Sequence, residues 1–266
     1  MRLIDCHVHV FPDAVAATAV PALAARCGLR PAGDGTRAAL ERQLAQAGVM
    51  AALNCPIATK PEQTLAINNW AARANRFPVF SLGTVHPDTP GLGGELRRVK
   101  QLGLPGIKLH PEYQGFALDD PRLEPVWESC ATLKLPVLLH AGADLGFPPP
   151  WRTRPADFRR LRERWPRLRL VAAHFGGWRM WDEVERELLG SPVWLDLSFT
   201  GELPAERLAA MVRRHGAERV LFASDTPWDD LGAAVARFQA LPLTPAERER
   251  VAWRNAAELF QLQLPA

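Results

Sequence analysis

Six of the seven histidines in this sequence end or directly follow short apolar segments. They are His7, His9, His86, His110, His140 and His174. Imidazole nitrogens are common ligands of divalent metal ions, and histidine is the usual general acid or base near neutral pH. The seventh histidine, His215, ends a predicted helix. The distribution therefore indicates metal or acid–base chemistry, provided that the fold brings these five segments together.

His7 and His9 are separated by one residue, so on a β-strand their side chains point to the same side and could bind one ion. An H-x-H pair alone is a weak signal, because many buried histidines only make core hydrogen bonds. Asp225 follows the last predicted strand and adds a carboxylate. Nitrogen and oxygen ligands from several strands are typical of an open, catalytic zinc-type site. The alternatives are helix capping by Asp225 and simple packing of His174.

A metal ion in such a site would polarise a carbonyl oxygen and lower the pKa of its bound water to about 7. Asp225, beside that water, could accept its proton. These residue types therefore indicate hydrolytic chemistry in outline.

Eight short β-rich segments would position these side chains, and each is followed by enough residues for a helix. The predicted strands are residues 3–8, 49–54, 79–85, 106–109, 136–140, 169–174, 193–197 and 220–224. Amphipathic segments predict helices that include residues 36–47, 95–102, 124–133, 183–189 and 205–215. This alternation is typical of parallel strands joined by helical crossovers.

The number of strand and helix pairs favours a closed (β/α)8 TIM barrel, although a doubly wound open sheet would give a similar pattern. We expect one domain over residues 1–266. In a TIM barrel the loops that follow the strands gather at one rim, where active sites lie. The barrel therefore predicts that the histidines converge there.

The composition argues against several other classes of protein. The 32 Lys and Arg against 29 Asp and Glu leave a charge of +3 without a basic block, so we expect no nucleic-acid partner. The four cysteines are far apart, which argues against a disulfide framework or a cysteine zinc site. No apolar run approaches the roughly 18 residues of a membrane span, and Met1 and Arg2 leave no room for a signal peptide. We expect a cytoplasmic protein without a membrane partner.

Five motifs follow or end the predicted strands. They are IDCHVH at residues 4–9, GIKLHP at 106–111, HAG at 140–142, HFGG at 174–177 and SDTP at 224–227. Together they resemble the amidohydrolase superfamily, and more narrowly its amidohydrolase-related (amidohydrolase 2) branch. NAAELF at residues 255–260 is similar to the closing helix of that branch, so the resemblance covers nearly the whole chain.

The resemblance implies a metal-dependent enzyme on a (β/α)8 barrel. The implied metal ligands are His7, His9, His140 and Asp225. Asp225 would also be an acid–base group, and His174 would either bind a second metal or position water and polarise the substrate. Zinc is the expected ion, with manganese or another divalent ion as the alternative, and one ion is preferred over two.

Lys108 decides between one and two ions, because some binuclear members of the superfamily bridge their metals with a carboxylated lysine on the fourth strand. We prefer the alternative, in which Lys108 binds a substrate carboxylate as a point charge. The predicted substrate-binding residues are Lys108, His110, His86, Arg152 and Trp178. Arg154 and Arg179 could join Arg152 around a carboxylate. Aromatic residues of the loops could form the walls of a pocket for a flat molecule, namely Phe11, Tyr113, Phe116, Phe147, Trp151, Trp178, Trp181 and Trp228.

Two reactions fit these residues. The preferred one is hydrolysis of an amide, ester or lactone in a small organic substrate by metal-activated water. The alternative is non-oxidative decarboxylation of an aromatic or unsaturated acid, because the same branch includes such decarboxylases, with Asp225 as proton donor to carbon. A non-catalytic barrel that keeps the rim histidines is a third hypothesis, and a homodimer is a further expectation.

Overall fold

Eight parallel strands alternate with helices in the computed structural model, which describes residues 2–265. The strands are β1 Ile4–Val8, β2 Ala51–Asn54, β3 Val79–Ser81, β4 Ile107–Leu109, β5 Val137–Leu139, β6 Leu170–Ala172, β7 Trp194–Asp196 and β8 Val220–Leu221. Each predicted strand is present and shorter than predicted. β1, β2 and β4 begin one or two residues later than predicted, β3 and β8 end earlier, and β5, β6 and β7 are shorter at both ends. The predicted α/β class is confirmed.

The strands form a closed barrel rather than an open sheet. β1 to β3 pair in sequence order, and so do β4 to β8. The first junction between the two sheets is a parallel bridge between Gly83 and Ile107. The second is a parallel bridge between Val8 and Thr226, which joins the end of β1 to the segment after β8. The predicted (β/α)8 barrel is therefore confirmed.

Helices cover the outside of the barrel. They are α1 Asp13–Cys27, α2 Arg37–Ala47, α3 Thr64–Ala74, α4 Leu92–Gln101, α5 Pro111–Gln114, α6 Glu124–Leu133, α7 Pro155–Arg164, α8 Trp181–Glu187, α9 Ala205–His215, α10 Leu231–Ala240, α11 Pro245–Glu249 and α12 Asn255–Phe260. α2 shows why they begin and end where they do. At its start the Thr36 hydroxyl accepts from the backbone N–H of Ala39, and Gly48, with a left-handed φ of 67°, ends the helix.

Strand residues alternate between two apolar layers. Ile4, Cys6 and Leu138 belong to the inner cluster, which also contacts the closing helix α12. Ile107 and Leu109 belong to the cluster between the strands and the outer helices. Because side chains alternate along a strand, Lys108 lies on the inner face of β4. Within residues 2–265, no helix is long and apolar enough to cross a membrane.

Candidate metal centre and active site

Three potential metal ligands meet where β1 lies beside the segment after β8. His9 Nε2 is 3.0 Å from Asp225 Oδ1, and His7 Nε2 is 3.2 Å from the same oxygen. The imidazole planes of His7 and His9 are inclined by 56°, so both rings can direct a nitrogen toward one point. Ligands at about 2.1 Å from one ion stand roughly 3.0–3.4 Å apart, so the observed spacing fits a shared divalent ion.

Backbone pairing places these residues in register. The Asp225 N–H donates to His7 O at 2.8 Å, and the His9 N–H donates to Thr226 O at 2.7 Å. Asp5 Oδ1 accepts from the N–H groups of His7 and Ser224 at 3.1 and 3.0 Å. Asp225 itself has a left-handed backbone with φ of 72°, an unusual conformation for a residue other than glycine. The alignment of β1 with β8 thus builds the His7, His9 and Asp225 group.

A buried carboxylate at the end of β7 orients His7. Asp196 Oδ2 lies 3.0 Å from His7 Nδ1, and Asp196 is fully buried. Its other oxygen accepts from the N–H groups of His174 and Ser198 at 3.0 and 3.1 Å. If His7 Nδ1 carries the proton and donates it to Asp196, Nε2 keeps a lone pair for a metal. Such carboxylate–histidine pairs are the usual outer shell of metal-binding histidines.

His174 and His140 form a hydrogen-bonded pair beside this group. His174 Nε2 is 3.0 Å from His140 Nδ1, and His174 Nδ1 is 2.8 Å from Ser198 Oγ. His140 Nε2 is 3.1 Å from Ala143 O. Both nitrogens of His140 therefore have partners, and a role as metal ligand would require its ring to exchange one of them.

Two further groups of side chains place three donor atoms within 4.8 Å of one another. They are His7, His174 and Asp196, and His110, His140 and Asp144. The rings of His110 and His140 are stacked at 4.1 Å with an interplanar angle of 13°. An imidazole binds a metal in its own ring plane, and two nearly parallel stacked rings cannot both do so for one ion. The tilted His7 and His9 pair is therefore the group best suited to a metal.

Burial favours the neutral, metal-binding form of four of these imidazoles. Desolvation lowers the pKa of His7, His110, His140 and His174 well below the usual value. Desolvation also lowers the pKa of Lys108 and raises that of Asp225. Lys108 Nζ lies 2.8 Å from His7 Nε2, so this side chain borders the position where an ion would bind.

The site opens into a cavity of about 170 Å³. Its aromatic walls are formed by Phe11, Tyr113, Trp178, Phe199 and Trp228. Lys108 is the one lysine or arginine among the described residues that line it. An aromatic wall with a buried cation and histidines at its base suits a flat, anionic organic molecule.

Most of the predicted site residues lie together. His7, His9, Lys108, His110, His140, His174, Trp178 and Asp225 all line the cavity. His86 and Arg152 do not. The His86 Nδ1 accepts from the backbone N–H of Asp88, and the Arg152 N–H donates to Glu112.

The other two predicted arginines also lie away from the cavity lining. Arg154 pairs with Glu183, and Arg179 pairs with Glu202. Of the eight aromatic residues proposed as pocket walls, Phe11, Tyr113, Trp178 and Trp228 line the cavity, whereas Phe116, Phe147, Trp151 and Trp181 do not. The carboxylate-binding role considered for the arginines therefore has no support from their placement.

Three polar residues of the site were missed in the sequence. Asp196 ends β7 and Ser198 follows it within WLDLS, and this carboxylate in an apolar segment was the available signal. Asp144 lies in the loop after β5, two residues after the HAG motif. Gly142 explains how that loop approaches its neighbour, because a Cβ on Gly142 would stand 2.3 Å from the Trp178 nitrogen.

Comparison with known proteins identifies the family and its relatives. A sequence model of the family described as amidohydrolase matches residues 4–262. The gamma-resorcylate decarboxylase of Rhodococcus jostii is 26% identical over 254 residues, which cover 77% of this chain and 77% of that protein.

Solved structures share the fold at lower identity. An uncharacterized TIM-barrel protein from Bordetella bronchiseptica superposes with a TM-score of 0.79 at 19% identity, covering 98% of this chain and 99% of that chain. A dihydroxybenzoic acid decarboxylase from Polaromonas, with bound manganese and the inhibitor 2-nitroresorcinol, gives a TM-score of 0.73 at 18% identity. That comparison covers 98% of this chain and 97% of the other.

Proposed function

This chain belongs to the amidohydrolase family and is an enzyme of that superfamily, and from this premise we propose that it catalyses metal-dependent, non-oxidative decarboxylation of a small aromatic or unsaturated carboxylic acid. The observation that carries the proposal is the position of Lys108. Its ammonium group borders the His7, His9 and Asp225 group inside an aromatic-walled cavity. A carboxylate placed there meets both a metal and a buried cation.

The proposed metal ligands are His7, His9 and Asp225, with His140 as the fourth. A divalent ion held by these residues would act as a Lewis acid toward the substrate oxygens. The two imidazoles and the carboxylate fit this role because their donor atoms already lie 3.0 and 3.2 Å apart. Manganese is present in the structure of the Polaromonas decarboxylase, which makes it as reasonable an ion as the zinc expected from the sequence.

Asp225 is the proposed proton donor. Asp225 delivers its proton to the ring carbon that bears the carboxylate. The bond between this ring carbon and the carboxyl carbon then breaks, and the electron pair of that bond remains with the ring. Carbon dioxide leaves, and Asp225 regains a proton from solvent for the next turnover. Lys108 orients the carboxylate during these steps, and His174, held by Ser198 and His140, positions the substrate beside Asp225.

Hydrolysis was the preferred reaction from sequence, and decarboxylation now has the better support. The first reason is the gamma-resorcylate decarboxylase relative, which aligns over most of both chains. The second is the cavity, whose aromatic walls suit a planar acid. Metal-activated water remains chemically accessible to the same ligands, so hydrolysis must be tested beside decarboxylation.

The experiment is a substrate screen on protein reconstituted with manganese or zinc. Hydroxybenzoates, other aromatic acids, unsaturated acids, lactones and aryl esters are supplied separately, while ring absorbance and carbon dioxide are followed. We expect carbon dioxide in step with loss of an aromatic or unsaturated acid. Turnover of lactones or esters without carbon dioxide would contradict the proposal and restore hydrolysis.

A further inference from the structure

The substrate cavity changes in character between its buried base and its open end. At the base, His7 and Lys108 are each only 1% exposed, and Asp225 is 6% exposed. Four aliphatic side chains line the same cavity and are partly exposed to solvent, namely Leu23, Leu29, Ile57 and Leu145. We call these four residues the aliphatic rim. A molecule that places its carboxylate at the buried metal centre therefore extends toward the aliphatic rim.

Three segments of the chain build the aliphatic rim, and contacts between two of them fix its position. Two leucines come from α1 and the turn that follows it, the isoleucine from the loop after β2, and the third leucine from the loop after β5. Arg26 of α1 donates from Nε to Gly146 O at 3.0 Å, and its guanidinium carbon lies 4.2 Å from the centroid of the Phe147 ring. These contacts join α1 to the loop after β5, so the fold holds the rim beside the cavity.

The polar side chains beside the aliphatic rim already have protein partners. The Tyr113 hydroxyl is 3.8 Å from Cys27 Sγ, and Asp144 Oδ2 is 3.3 Å from His110 Nε2. The Thr59 hydroxyl donates to a side-chain oxygen four residues along the chain at 3.1 Å. A polar group buried at the rim would lose water without gaining a free partner, which costs free energy, whereas an aliphatic group gains by leaving water.

We propose that the aliphatic rim binds an apolar substituent, a short alkyl or alkenyl chain, on the end of the substrate remote from its carboxylate. This inference rests on the proposed decarboxylase function and narrows its substrates to acids with such an apolar extension. A cavity of about 150 Å³ binds benzene, so one ring fills most of the 170 Å³ of this cavity and its substituents reach the open end. The rim residues then determine specificity through the apolar surface that they share with the substrate.

Binding of alkylbenzenesulfonates to the metal-loaded protein tests the proposal without turnover, because these anions have no carboxyl carbon to lose. The probes are benzenesulfonate and its methyl, ethyl and propyl derivatives, each substituted at position 3 or at position 4. By calorimetry we expect one of the two series to gain about fourfold in affinity per methylene, as for a CH₂ group that leaves water. The heat capacity change of binding should become more negative along the same series.

A matched probe separates apolar contact from size. The hydroxymethyl derivative resembles the ethyl derivative in size but ends in a polar group. We expect it to bind about tenfold more weakly than the ethyl derivative of the same series, because the rim offers its hydroxyl no free partner.

The double variant Leu29→Asn, Leu145→Asn should remove the preference for alkyl groups. Asn is close to Leu in size but offers polar atoms in place of methyl groups. We expect the gain per methylene to fall below about twofold, while binding of unsubstituted benzenesulfonate changes by less than about threefold. Leu65→Asn is the control, because Leu65 lies on α3 outside the cavity lining and is 57% exposed. It should leave the gain per methylene unchanged.

Thermal unfolding and metal content establish that the double variant is folded, and Leu145→Asn alone, at a rim position that is 38% exposed, is the second variant. Equal affinity of the wild type for all alkyl probes, or a gain per methylene that survives in both variants, would overturn the inference. If that gain survives while a wild-type dimer dissociates in the variants, the rim is a subunit contact instead.

The inference and the proposed function can fail separately. In each of these cases carbon dioxide release from an aromatic or unsaturated acid would leave the proposed function standing. Failure of every probe to bind, together with absence of carbon dioxide release, would overturn both.

Discussion

The carboxylate of Asp225 lies 3.0 Å from His9 Nε2, although the two residues are 216 positions apart. Barrel closure produces this contact, because the segment after β8 pairs with the end of β1. The same closure brings His7 Nε2 to 3.2 Å from Asp225. Residues from the two ends of the chain thus build one donor group, and the metal-dependent function proposed for the chain depends on it.

Replacing His9 by Ala should remove the metal from the protein. Loss of one of the two β1 imidazoles weakens metal binding by the remaining proposed ligands, so after dialysis we expect metal content to fall from about one equivalent to less than about a tenth. Elemental analysis after dialysis against metal-free buffer measures this. His86→Ala is the matched control, since His86 lies outside the cavity lining. Full metal content in His9→Ala would contradict the assignment.

Replacing Asp196 by Asn should weaken metal binding without abolishing it. Asn keeps the size of the side chain but loses the charge that orients His7 through Nδ1. Loss of such an outer-shell partner typically costs about 10–100-fold in metal affinity. Competition with a fluorescent chelator gives the affinity. An unchanged affinity would show that Asp196 only satisfies the backbone N–H groups of His174 and Ser198.

Replacing Lys108 by Met should impair substrate binding and leave the metal count at one. A lost charge-assisted hydrogen bond to the carboxylate predicts a rise in KM of about 10–100-fold. Steady-state kinetics give the KM and elemental analysis gives the metal content. The control is Lys100→Met, which changes an exposed lysine. Two ions in the wild type and one in Lys108→Met would instead indicate a carboxylated, metal-bridging Lys108.

Acid should destabilise the protein partly through His215, far from the metal centre. Burial lowers the pKa of His215 to about 4 from the usual 6.5, and its Nε2 donates to Val193 O. Between these pH values the unfolded chain binds a proton that the folded protein does not. The contribution of neutral His215 to the free energy of unfolding is therefore fully present above pH 6.5. It falls by about 3 kcal/mol as the pH falls to 4.

Urea unfolding from pH 7 to pH 4 checks the role of His215. In His215→Gln the amide can still donate to Val193 O but does not titrate, so its free energy of unfolding should fall less steeply with acid. All other groups are shared with the wild type, so the difference between the two curves isolates His215. Parallel curves would contradict the assignment.

The barrel and much of its site could be predicted because their signals are local. Alternating strands and helices specify the architecture, and the H-x-H pair and the motif around Asp225 lie directly at strand ends. Asp196 escaped prediction because its role arises from a contact with His7 across 189 positions. Asp144 escaped because a loop conformation, not a periodic pattern, turns it into the cavity.

His86 and Arg152 show the converse limit. Both lie in loops after strands, where the sequence predicts site residues, yet hydrogen-bond partners near them hold them outside the cavity lining. The His86 imidazole accepts from the backbone N–H of Asp88 in the same loop, and Arg152 pairs with Glu112. Side-chain direction in such loops depends on these hydrogen bonds, which the order of residues does not reveal.

The most direct test of the account is turnover of an active aromatic acid in deuterated water by the manganese-loaded protein, with mass spectrometry of the product. Protonation of the ring by an exchangeable group such as Asp225 predicts one deuterium at the carbon that carried the carboxylate, with release of carbon dioxide. Formation of the deuterated product should stop when the metal is removed by a chelator and resume when the metal is restored. Product formation without ring deuterium and without carbon dioxide would contradict decarboxylation.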